Sequence, residues 1–153
     1  MSENPILDAL ANEFFRVFSR AEYSLKASGF HKGDGEANAN WEKFSREVED
    51  LIRNPISQDL REAISFMLSS PPKKQVIKQG ILCWEECIPS TNSTANLLFL
   101  YIRRVRNNLF HGGKFNGRWF EPERSEPLLK FSLIILRAAI DKVPRVCDAY
   151  YHE

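Results

Sequence analysis

Long apolar runs are missing from this chain. No window approaches the roughly 18 uncharged apolar residues that a membrane helix needs, so no transmembrane segment and no membrane partner are expected. An excess of one charge is missing too. The 21 Lys and Arg stand against 20 Asp and Glu, a formal net charge of +1. No global basic field draws the chain onto nucleic acid, and any such site must arise from local clustering. Cysteine is sparse and odd in number: Cys83, Cys87 and Cys147. Met1 to Leu10 has no basic segment ahead of an apolar run. These features predict reduced thiols, no export signal and a cytoplasmic location. A Gly-rich phosphate loop, Ser-His-Asp spacing and H-E-x-x-H are all lacking. Cys83 and Cys87 would need two further metal ligands, yet His31 falls in a loop and His152 at the tail. Buried thiols are the expected role, and no metal or cofactor is expected.

What is present is helical periodicity with bulky aromatics, including 11 Phe, in a chain of 153 residues that suits one domain spanning 1–153. Leu7, Leu10, Phe14, Val17, Ala21 and Leu25 recur at helical spacing and predict a first helix from Pro5 to Ala27, ended by Gly29. Residues 29–40 read as a loop. Trp41, Phe44, Val48 and Leu51 predict a second helix up to Asn54-Pro55. Ser57 caps a third, with Leu60, Ile64, Met67 and Leu68 inward. Residues 75–88 suit a short helix interrupted by Gly80, with a strand as the less favoured alternative. A helix over Thr94 to Phe110 follows. A last long helix runs from about Glu126 to Val143, which Pro144 kinks or ends ahead of a short tail turn. The chain reads as all-α: an antiparallel bundle of four to six helices, with no strand.

The helix over 94–110 carries the motif Arg106-Asn107-Asn108-Leu109-Phe110-His111, which Gly112-Gly113 then breaks. A fixed guanidinium and a titratable imidazole are the minimum kit for cleaving RNA without a metal. At about 100° per residue, Leu98, Ile102, Val105 and Leu109 share a core stripe. Arg103, Asn107, Phe110 and His111 lie opposite, with Phe99 near Phe110 and Arg106. Two phenylalanines on one exposed face suit a partner surface, and a two-fold homodimer is the commonest solution. Arg103, Arg104, Arg106, Lys114 and Arg118 form the densest local positive patch. An ordinary helix end accounts for the same residue types, since cations in a last turn stabilise the macrodipole by about 0.3–1 kcal/mol each. The Asn107-Asn108 pair argues for more, because Asn is a poor helix-interior residue.

The motif, with Asn after Arg and four residues between Arg106 and His111, resembles the R-x(4–6)-H signature of HEPN domains. The stretch Phe14 to Lys26, with Phe18, Arg20, Glu22, Tyr23, Leu25 and Lys26, also resembles the F-x-R-x-E-Y-x-L-K run in the first helix of one bacterial HEPN branch. The resemblance implies a helical bundle that dimerises with its motif helices face to face. It implies a metal-independent endoribonuclease of toxin–antitoxin or defence systems, with an antitoxin protein as a possible partner. His111 would be general acid or base, Arg106 would stabilise charge on the scissile phosphate, and Asn107 would orient the imidazole or hold the phosphate. The product would be a 2′,3′-cyclic phosphate, so DNA would be inert. Arg103, Arg104, Lys114, Arg20 and Glu22 are candidates for RNA contact or support. Arg20 and Glu22 suit a solvated helix face equally well. The alternative function is an inactive HEPN-like module that binds RNA, nucleotide or a protein.

One ambiguity is geometric. On a regular helix Arg106 lies about 140° from His111, whereas Arg104 shares the side of His111 and also has a permitted spacing. Asn107 favours Arg106 as the functional arginine, with Arg104 as a supporting cation.

Overall fold

The structure is a computed structural model. It describes residues 4–110, 114–115, 118–119 and 122–152, and of residues 114, 115, 118, 119 and 122 the backbone alone. His111 and the Lys114 side chain lie outside the described residues.

Three helices begin on side-chain caps. Asn4 accepts from the Leu7 amide at 3.0 Å to open α1 (Pro5–Ala27). Asn40 accepts from Lys43 at 3.0 Å to open α2 (Trp41–Arg53). Ser57 accepts from Leu60 at 3.1 Å to open α3 (Gln58–Ser69). Each cap satisfies an amide that has no partner within its own helix. Gly29, at φ +95°, turns the chain out of α1 as a left-handed residue that glycine adopts without strain.

The stretch after α3 corrects the all-α expectation. Residues 75–88 are not a helix. β1 (Lys74–Lys78) and β2 (Ile81–Glu85) pair antiparallel, with Val76 opposite Cys83. The turn residues Gln79 and Gly80 have φ of +51° and +77°. Two positive φ values at the centre of a two-residue loop are what a type I′ hairpin turn requires. Gly80 is therefore the hinge of a hairpin, and the β-branched Val76, Ile77 and Ile81 follow their strand preference.

α4 (Thr94–Phe110) leads to a second small pair, β3 (Lys114–Phe115) with β4 (Arg118–Trp119). α5 (Pro122–Lys142) starts ahead of the expected Glu126 and carries Pro127 within it, at the loss of one ladder bond. Pro144 does not merely stop that helix. It occupies the first turn of a further helix, α6 (Pro144–His152), where its fixed φ and missing N–H cost nothing.

The described chain is thus a bundle of six helices with two small hairpins. α5 packs on α1 and α3, α4 packs on α2, and α6 packs on α1. Along one side an aromatic cluster joins α1, α2 and α4. Phe18 stacks on Trp41 at 5.5 Å between centroids, and Phe44 lies flat on Phe99 at 5.3 Å. Phe99 is consequently 1% exposed, which corrects its expected place on an outward face. The core face of α4 is wider than a single stripe because α2 covers a second flank of it. No helix among the described residues is long and apolar enough to cross a membrane.

Candidate functional site

The motif helix is fixed at its start by a residue from another helix. The Glu49 carboxylate, on α2, accepts from the Ser93 hydroxyl at 2.8 Å, the Thr94 amide at 3.1 Å and the Ala95 amide at 3.0 Å. A carboxylate on the first amides of a helix is favoured by their partial positive charge. Burial opposes the charge on Glu49, but the donors Ala95, Ser93, Thr94 and Arg53 outweigh it and hold this carboxyl below its ordinary value. Sequence reading missed Glu49, because its partner is a helix start 44 to 46 positions away.

Further along, the same helix holds the hairpin. Residues 70–73 include two prolines with no amide to donate, and their carbonyls are each met by a side chain. Arg124 of α5 donates to Ser70 at 3.0 Å and Pro71 at 2.8 Å. Arg104 donates to Pro72 at 3.1 Å, and Asn108 donates to Lys73 at 2.8 Å. Arg104 also donates to the Cys87 carbonyl at 2.7 Å, beyond the other end of the hairpin. Nη1 of Arg104 therefore serves both legs of β1–β2. Asn108 likewise has a structural use, which answers half of the question raised by two adjacent asparagines.

Arg106 and Asn107 are placed differently. The Arg106 guanidinium donates to Asn107 Oδ1 at 3.1 Å and lies 4.7 Å over the Phe110 ring. Asn107 and Phe110 are exposed, Phe110 by 66%. Phe110 also meets Phe15 of α1 edge-on at 6.3 Å. The end of α4 thus presents a cation, an amide and an aromatic ring together, with a net attraction of cation to ring of about 0.5–1 kcal/mol at such an exposed site. Arg103 lies one turn back, partly exposed.

The candidates on α1 serve other elements. Arg20 donates from Nε to the Tyr150 carbonyl at 3.0 Å and from Nη2 to Ala149 at 3.4 Å, capping the end of α6 with a cation where the dipole favours one. Its guanidinium also lies 5.3 Å from the Tyr23 ring centroid. Glu22 accepts from the Trp41 indole at 3.2 Å and so ties α1 to α2. Both residues of the resembling α1 run have structural partners. Cys83, Cys87 and Cys147 are free, partly buried thiols. Burial raises the Cys147 thiol above its ordinary value, and Asp141 and Asp148 add to the effect.

No protein-family model, curated protein or solved structure matches this chain.

Proposed function

We propose that this protein is a metal-independent endoribonuclease of the HEPN kind, with Arg106, Asn107 and His111 as its catalytic group. The observation that carries the reading is the division of labour along α4. Arg104 and Asn108 are engaged with main-chain carbonyls, while Arg106 and Asn107 are bonded to each other at the exposed end of the helix. Five positions beyond Arg106 comes a histidine, the side chain whose proton moves near neutral pH.

In this reading Arg106 offers its planar fork to two oxygens of the scissile phosphate and stabilises the charge that develops there. Asn107 holds that guanidinium in place or donates its amide to the phosphate. His111 takes the proton of the ribose 2′-OH or returns one to the leaving 5′-oxygen. The phosphorus–5′-oxygen bond breaks as the 2′-oxygen bonds to phosphorus, giving a 2′,3′-cyclic phosphate and a free 5′-OH. A second copy of the chain packs its own α4 end against the first, so that two motifs line one cleft. A role as a toxin or defence nuclease in the cytoplasm, checked by an antitoxin protein, follows from the same resemblance.

The test is cleavage of a mixed RNA panel by purified protein in EDTA, beside His111→Ala and Arg106→Ala variants. Each variant is expected to lose at least about 100-fold in rate. Equal cleavage by wild type and His111→Ala removes His111 from the site. No cleavage by any of them leaves the binding module as the function.

A further inference from the structure

Between α4 and β1 runs a groove of about 370 Å³. α4 contributes Arg103, Arg104, Asn107 and Asn108 to it, and β1 contributes Lys74 and Gln75. Its described lining holds three cations and no acid, in a chain whose formal net charge is +1. The acid nearest in register is Glu85, opposite Lys74 across the hairpin, and its carboxylate is paired with Lys78 instead. The groove is kept open by the bonds already described: Arg104 and Asn108 hold the hairpin at Pro72, Cys87 and Lys73, so β1 stands at a fixed distance from the helix.

We propose that this groove is a phosphate track for single-stranded RNA, with Lys74 and Arg103 gripping the backbone next to the phosphate held by Arg106. The proposal rests on the ribonuclease reading and adds the hairpin to it. Arg103 and Asn107 are four residues apart on α4 and share a face, so the groove and the Arg106–Asn107 pair are continuous. Arg103 and Arg106 are three residues apart, about 4.5 Å along the axis. Their long side chains can reach neighbouring phosphates of one strand.

A second recess adjoins the first and shares Asn108 with it. It measures about 70 Å³, its wall mostly Trp84 of β2 and the aliphatic side chains of α4 and α5, with Lys73, Arg124 and Ser125 as further lining. A basic groove beside an apolar, aromatic-lined recess is the combination that binds single strands: cations follow the backbone and a base edge leaves water. An acidic peptide would satisfy the cations but leave the recess unused. A duplex keeps its base edges stacked inside and offers nothing to the recess either.

The experiment measures binding of a fluorescent 2′-O-methyl oligouridine, which lacks the free 2′-OH and so is held without being cleaved. Wild type is compared with Lys74→Glu/Arg103→Glu, and with Lys32→Glu/Arg46→Glu, which changes charge equally at exposed positions on other elements. The track variant is expected to bind at least tenfold more weakly. The slope of log affinity against log salt should shrink by about 1.4, for two lost phosphate contacts at about 0.7 each. The Lys32/Arg46 variant should bind as wild type does. Should charge reversal impair folding, Lys74→Gln/Arg103→Gln serves instead, with the same expected loss of slope.

Equal weakening by both charge-reversed pairs overturns the track, since only net charge would matter. Absence of wild-type binding overturns it too, as does polyglutamate competing as well as the oligonucleotide. Wild-type cleavage of RNA with unaltered affinity in the track variant removes the track and leaves the ribonuclease reading standing. Tight, track-dependent binding without cleavage does the reverse.

Discussion

Arg104 donates to the Cys87 carbonyl at 2.7 Å, and the same nitrogen reaches the Pro72 carbonyl at 3.1 Å. Pro72 lies two residues before β1 and Cys87 two residues after β2, so one side chain of α4 clamps both legs of the hairpin at its base. Hydrogen bonds to a charged donor contribute about 1.5–3 kcal/mol each, and two that share a nitrogen fall short of twice that. Arg104→Met is therefore expected to lower unfolding free energy by about 2–3 kcal/mol in urea titration. Arg104→Lys should recover only part, because its shorter side chain does not bring the ammonium to the position that Nη1 holds between the two carbonyls. Arg106→Met, two positions on, should cost no more than about 1 kcal/mol. Equal costs at the two arginines would contradict the division of labour on which the site assignment stands.

The hairpin turn is expected to improve with one substitution. Gln79 adopts φ +51°, a conformation that costs a residue with a Cβ roughly 1–2 kcal/mol, and Asn or Asp less. Gln79→Asn creates the Asn-Gly pair that type I′ turns prefer. Thermal unfolding should rise by a few degrees, equivalent to about 0.5–1 kcal/mol. At Gly80, φ +77°, a substitution to Val should act in the opposite direction and more strongly. No change from either would mean that the hairpin contributes nothing to global stability.

Glu49 makes stability depend on pH. Its carboxyl is held below the ordinary value in the folded chain, so the folded state favours the ionised form more than the unfolded chain does. The contribution is fully present above the unfolded pKa, about 4.3, and is lost as pH falls through the lower folded value. Glu49→Gln removes the charge while keeping the shape. At pH 7 it should cost about 1–3 kcal/mol, and the gap to wild type should close as acid protonates the wild-type carboxyl. A gap that stays constant from pH 7 to pH 3 would exclude the carboxylate as the helix cap.

The helices were legible because their signals are local. Ser57 sits at the boundary that it caps, and apolar residues repeat within one turn. The hairpin was obscured because Val76, Ile77, Ile81 and Leu82 form short apolar runs that suit either state. Gln79-Gly80 is a weaker turn signal than Asn-Gly, and Gly80 by itself suits an interruption of a helix. Phe99 was misplaced because a projection of one helix does not know that α2 covers its flank. The structural roles of Glu49, Arg124 and Arg104 were out of reach for a different cause: each acts on main-chain groups distant in sequence, and side-chain patterns carry no record of which amides and carbonyls lie bare. The motif residues Arg106 and Asn107 stood out in sequence because that signal is chemical rather than structural.

The number of chains that build one site can be counted directly. Phe110 exposes 66% of its surface beside Arg106, an apolar ring at the end of the helix that carries the motif. If a second copy covers it, light scattering should give about twice 17.7 kDa for wild type, and Phe110→Asp should fall to the single-chain mass. Mixing then separates a shared site from two independent ones. Arg106→Ala and His111→Ala chains are each expected to be inactive alone. Where Arg106 of one chain works with His111 of the other, a mixed dimer rebuilds one intact site from the unmutated halves. Random exchange makes half the dimers mixed, with one good site of two, so about a quarter of wild-type activity should return. Where both residues act within one chain, every site in the mixture still lacks one of them and nothing returns. Recovery near a quarter, abolished by Phe110→Asp in both chains, would show the site to be composite; no recovery, with mass still twice that of one chain, would confine catalysis to a single copy.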